Sequence, residues 1–144
     1  MSADRSTGVP DGSTAGGSAR QSGAELLRGL TAAGLLMSAV VHFELWAQGV
    51  DEVPVIGPLF LLNAVGGLVI ALAVLTWKHW LPAVASIGFS VLTLVAFALA
   101  VTVGLFGSNE VAAGVPQLLA GVAELVALVC AVALLAVGVR SRVR

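Results

Sequence analysis

Four stretches of this chain, at about 26–46, 56–77, 81–106 and 115–139, are almost continuously apolar. No other feature limits the fold as strongly. A helix rising 1.5 Å per residue crosses about 30 Å of hydrocarbon in about 20 residues, and each stretch reaches that length. Only α-helices and closed β-barrels satisfy every backbone N–H and C=O inside a bilayer. Barrel strands alternate polar and apolar residues, and these stretches do not. The expected fold is all-α, a four-helix transmembrane bundle. Composition agrees: the 144 residues are 58% hydrophobic and 10% charged, with a mean hydropathy of +1.03. A water-facing domain would need about 25% charged residues to cover its surface.

Residues 1–23 are rich in Ser, Gly, Ala and Thr and have no apolar periodicity. Such a segment buries too little surface to offset its ordering entropy, so a disordered cytoplasmic tail is expected, followed by a transmembrane domain at 24–144. The first apolar run starts late and is as long as a span, which reads as a retained helix rather than a cleaved signal.

Charge placement predicts orientation. Arg5, Arg20, Arg28, Lys78, Arg140, Arg142 and Arg144 all fall on one side of the four spans, while the opposite loops carry Asp51, Glu52 and Glu110. Basic residues stay in the cytoplasm, so both termini are expected there. Trp46, Trp77 and Trp80 stand at span ends, where an amphipathic indole favours the interface. The short Trp77-Lys78-His79-Trp80 connection predicts a tight antiparallel hairpin of the second and third helices, with Pro82 in the first turn of the third. Gly49-Val50-Asp51-Glu52-Val53 resembles Gly107-Ser108-Asn109-Glu110-Val111 at an offset that also superimposes Pro58 on Pro116. That is either a parallel repeat of two hairpins or chance matching in an apolar chain.

Polar side chains are costly in lipid and normally face protein or a cavity. His42 lies about 6 Å inside Trp46, Asn63 about 7 to 8 Å inside Pro58, and Glu124 about 12 Å inside Pro116. All three therefore fall in the outer half of the membrane. Helical spacing places Gly34, Ser38 and His42 on one stripe, Asn63 with Gly66 and Gly67 on another, and Gln117, Gly121 and Glu124 on a third. On the third helix Ser86, Ser90, Thr93, Ala100 and Gly104 share a side. Small-residue stripes let membrane helices approach closely, so the four stripes are expected to converge. The candidate intramembrane cluster is thus His42, Asn63, Glu124 and Gln117, with Glu124 the deepest acid and His42 its natural pair. Such a cluster serves either a proton or ligand site, or helix register alone. Glu44 points about 200° from His42 and is expected near the outer interface.

Several chemistries find no support. Cys130 is the single cysteine, so no intrachain disulfide or CxxC pair forms, and a small apolar filler is expected there. No metal centre, cofactor or catalytic residue is expected. His42 and His79 lie near opposite faces, too far apart to share one haem. No basic cluster interleaved with aromatics points to nucleic acid.

The stretch His42-Phe43-Glu44-Leu45-Trp46, then Gly49, then Pro54-Val55-Ile56-Gly57-Pro58-Leu59-Phe60-Leu61-Leu62-Asn63 resembles a family of small actinobacterial four-span membrane proteins. Val103-Gly104-Leu105-Phe106-Gly107 with Glu110 is similar to it as well. The resemblance implies the topology and a bacterial source and assigns no activity. More loosely the chain resembles the DoxX-like group, some of which are linked to quinone or thiosulfate oxidoreduction, and this likeness points to His42 and Glu124. The size is similar to that of small multidrug resistance transporters, but their essential glutamate lies in the first helix and Glu124 lies in the fourth.

Two functional readings stand. The first is a non-enzymatic structural or accessory component, partnered by the lipid bilayer and by further copies or a larger membrane complex. The second is a proton-coupled carrier or a binder of a lipophilic ligand such as a quinone, using His42, Asn63 and Glu124.

Overall fold

A computed structural model describes residues 13–104 and 114–142 of the chain. They form helices α1 (Ser13–Ala47), α2 (Ile56–Thr76), α3 (Trp80–Thr102) and α4 (Val115–Arg142), with one 3-10 turn at Val50–Glu52. Among the described residues there is no strand. Four helices are long and apolar enough to cross a membrane: Gly17–Ala47, Ile56–Thr76, Trp80–Thr102 and Val115–Arg140. The chain is an all-α, four-helix, multi-pass membrane protein.

The packing is that of a bundle in lipid rather than in water. Its buried positions are mostly small: Ala32, Ala71, Ala83, Ala127, Ala131, Ser38, Ser86 and Ser90 are all nearly inaccessible. Its outside is Leu and Val, among them Leu62, Leu92, Val122 and Val129. Lipid tails are as apolar as Leu, so large side chains gain little by turning inward. Small residues gain more, because they bring helix backbones into contact. The tightest approach is between α1 and α4 at Gly34, where a Cβ would stand 2.6 Å from the Ala123 carbonyl oxygen. A core of Ala32, Leu35, Ala71, Val74 and Ala127 lies between α1, α2 and α4, with Leu36, Ile70 and Phe89 against it.

Helix α1 has extensive interfaces with α2 and α4, and α3 docks chiefly on α4. The connection between α2 and α3 is as short as expected, yet these two helices share the smallest of the four neighbouring interfaces. The expected tight hairpin is therefore tight only at its turn. Phe89 wedges against Gly66 and Gly67 and holds the two helices apart farther along.

Ends and turns follow local chemistry. Arg28 Nη1 donates to the carbonyls of Val74 (3.0 Å) and Trp77 (3.4 Å), which satisfies acceptors left open at the end of α2. His79 caps α3, its Nδ1 accepting from the Leu81 N–H at 3.2 Å. Beyond α1, Gly49 takes φ 117° to begin the 3-10 turn. Val55 has φ 70°, and the Ile56 N–H bonds to the Pro54 carbonyl at 2.8 Å. That is a γ-turn of the strained hand, placed just before α2.

Two boundaries differ from the sequence expectation. Residues 13–23, expected within a disordered tail, continue α1, because adding residues to a helix already nucleated is far cheaper than starting one. Helix α3 stops at Thr102 although the apolar run continues; the Val103 N–H closes it on the Leu99 carbonyl, and Gly104 leaves with φ 79°. Residues 1–12, Glu110 and the second copy of the suspected repeat lie outside the described residues.

Candidate functional site

Two of the buried hydroxyls are satisfied locally, while Ser90 Oγ on α3 is buried without a partner among the described residues. Thr31 donates to the Leu27 carbonyl at 2.8 Å and Ser86 to the Pro82 carbonyl at 2.8 Å, each one turn back on its own helix. Such groups are satisfied wherever the helix goes. They therefore carry no information about a site.

The four residues singled out from sequence behave differently. His42, Asn63, Gln117 and Glu124 come from α1, α2 and α4, and all line one cavity of about 170 Å³ in the half of the bundle away from the basic residues. The rest of its wall is mostly apolar, including Phe60, Leu94, Phe97 and Ala120. Glu124 is 1% exposed, and among the described residues neither carboxyl oxygen has a hydrogen-bond partner. Among the described residues Asn63 Oδ1 and Gln117 Oε1 are buried and unpartnered as well, the latter turned back against Gly114. Buried polar atoms almost always find a partner, and leaving one without costs about 1–3 kcal/mol. Here four such atoms sit on residues that border the same void.

Two of these residues, Asn63 and His42, are held from behind. Asn63 Nδ2 donates to Thr93 Oγ1 on α3 at 2.8 Å, which orients the amide and leaves Oδ1 over. His42 Nδ1 meets the Ser38 carbonyl at 2.9 Å and lies 3.3 Å from Ser38 Oγ. Donation to that carbonyl requires the proton on Nδ1, which leaves Nε2 an acceptor in the neutral ring. The imidazole also packs on Phe60, ring centroids 5.1 Å apart. The Glu124 carboxyl is close enough to act on His42 electrostatically, yet among the described residues the two form no ion pair. The cluster is assembled as the helix faces suggested, but the direct His–Glu contact is not made. His42 is committed to its own helix instead.

Thr93 was legible in the sequence only as part of a small-residue stripe, and its bond to Asn63 needs the α2–α3 geometry. Ser38 is different: its place four residues before His42 signals a partner on the same helix face. Glu44 points outward, as its helical angle requires, and accepts from Gln48 Nε2 at 3.0 Å. Cys130 is a buried free thiol. Among the described residues no three His, Cys, Asp or Glu side chains gather in a way that would hold a metal ion.

No family model, curated protein or solved structure matches this chain. Function must therefore be argued from the cavity itself. Its chemistry is one-sided. The unpartnered atoms are acceptors, and an ionised Glu124 would add a negative charge with no compensating cation in contact. What completes the site is a donor, and a cationic donor most of all, attached to an apolar body that fills the remaining space.

Proposed function

We propose that this protein is a membrane-embedded binder of a small lipophilic ligand that carries a hydroxyl or ammonium donor, with proton exchange at Glu124. The observation carrying this reading is the set of unpartnered acceptors on Asn63, Gln117 and Glu124 around one apolar-walled void. A void of about 150 Å³ accommodates a benzene-sized molecule, so 170 Å³ suits a single ring or a short branched body. In this reading a ligand donor supplies the hydrogen-bond partner that the Glu124 carboxyl lacks. Under the DoxX-like resemblance the occupant would be a quinone head group, and its hydroxyl-bearing reduced form matches the acceptors better than the oxidised form.

A structural or accessory role is the second reading, favoured by the Asn63 to Thr93 bond, which clamps α2 to α3 across their weak interface. In both readings the termini lie in the cytoplasm, supported by Arg28, Lys78 and Arg140 standing at one end of the bundle, and a bacterial plasma membrane is what the family resemblance implies.

The test is a matched series of benzylamine, benzyl alcohol and toluene, titrated into the purified protein in neutral detergent. Thermal stabilisation is expected to fall in that order. Glu124→Gln is expected to abolish the advantage of the amine. Equal binding of toluene would reduce the cavity to apolar space, and no binding in the series would favour the structural role.

A further inference from the structure

A second cavity lies at the other end of the bundle, outside the site just described. It occupies about 810 Å³ between α1, the start of α3 and the last turns of α4. Arg28, Lys78, His79 and Arg140 line it, and among the described residues no acidic one does. Its deeper wall is apolar, with Ala83 and Leu134 both buried. Trp80, also a lining residue, is exposed. An exposed indole at a span end marks the level of the lipid head groups.

The charges at this cavity are differently engaged. Arg28 is fixed by its bonds to the end of α2, and both leave from Nη1. That anchors the planar fork beside the opening, where the carbonyls add no formal charge and the Glu25 carboxylate acts on it from a distance, as it does more directly on Lys78. Lys78 is paired with Glu25 at 2.8 Å, but the two side chains are 68% and 48% exposed, so the pair is weak and exchangeable. Arg140 is exposed on α4. The site therefore offers two guanidiniums and one loosely held ammonium above an apolar floor.

We propose that this cavity seats an anionic phospholipid, its phosphate between Arg28, Arg140 and Lys78 and the start of an acyl chain against the wall around Leu134. Charge complementarity selects the phosphate, since basic pockets between membrane helices bind anionic head groups. The apolar floor selects a lipid over a free phosphoester, which would leave that surface uncovered. Within this arrangement Glu25 is a competitor: it holds Lys78 until the phosphate takes its place.

The experiment uses the full-length protein in dodecyl maltoside, titrated with phosphatidylglycerol, phosphatidylcholine or glycerol 3-phosphate, and followed by Trp fluorescence and by lipid retained in native mass spectra. Phosphatidylglycerol is expected to saturate the protein, with phosphatidylcholine weaker by more than about ten-fold. Arg140→Gln is expected to weaken phosphatidylglycerol about five-fold. Glu25→Gln is expected to tighten it by releasing Lys78. Both substitutions fall on exposed side chains, and melting temperatures verify that the fold is kept. Equal binding of the two lipids, no saturable binding, or an Arg140→Gln protein unchanged in affinity would overturn the proposal. So would glycerol 3-phosphate saturating the site as tightly as the lipid, because the occupant would then be a free phosphoester.

Discussion

The cavity around Glu124 and the cavity around Arg28 place polar groups in the same bundle at very different cost. Around Glu124 the polar atoms are acceptors, buried and unpartnered, in a void of about 170 Å³. Around Arg28 they are donors beside water, in a void of about 810 Å³, and each can be solvated when the site is empty. The first arrangement is a standing expense met by helix packing, which is typical of a binding site held ready. The second costs almost nothing to maintain and gains energy only when an anion arrives. Sites of these two kinds should differ in what removing their own polar groups does to stability.

The packing that separates the two cavities should yield the largest effect. Gly34→Val places a branched side chain where a single Cβ already meets the Ala123 carbonyl at 2.6 Å. It should destabilise the bundle by about 3 kcal/mol in detergent unfolding and weaken binding at both ends together. Loss at one end only would show that the cavities do not share the α1–α4 contact. Next comes Glu124→Leu. Removing unpartnered buried oxygens should raise the stability of the ligand-free protein by about 2 kcal/mol while binding of benzylamine disappears. Destabilisation instead would mean that Glu124 serves helix register, and the accessory role would prevail.

Asn63→Ala should cost about 0.6 kcal/mol, the usual worth of an interhelical hydrogen bond in a membrane, because Thr93 can turn its hydroxyl to its own helix. A larger loss would show that the α2–α3 interface depends on this clamp. At the basic end Lys78→Gln should leave stability almost unchanged, and any change should vanish at high salt. A salt-insensitive loss would show that the Lys78 to Glu25 pair is more buried than its exposure indicates.

How much could be read beforehand divides along the same line. The four helices were legible because each apolar run has to satisfy its backbone within itself, a local requirement. The meeting of His42, Asn63, Glu124 and Gln117 was legible too, because depth follows from rise per residue and facing follows from helical angle. What His42 does on arrival was not. Its choice of the Ser38 carbonyl over Glu124 depends on separations that no spacing rule supplies. The end of α3 was missed because Val103 and Phe106 extend the apolar pattern, while the stop comes from backbone geometry at Val103 and Gly104. The basic cavity was invisible as a cavity, since Arg28, Lys78 and Arg140 are distant in the chain and were read only as markers of orientation.

The amino-acid sequence alone determined the number of spans, the side on which the charges lie and the faces that turn inward. These depend on hydrophobic length and helical period, which act residue by residue. Only the tertiary structure decided which polar atoms find partners. Partnership in a dry interior turns on ångström differences between helices, and those were set here by where Gly34 and Gly67 allow backbones to close and where Phe89 keeps them apart.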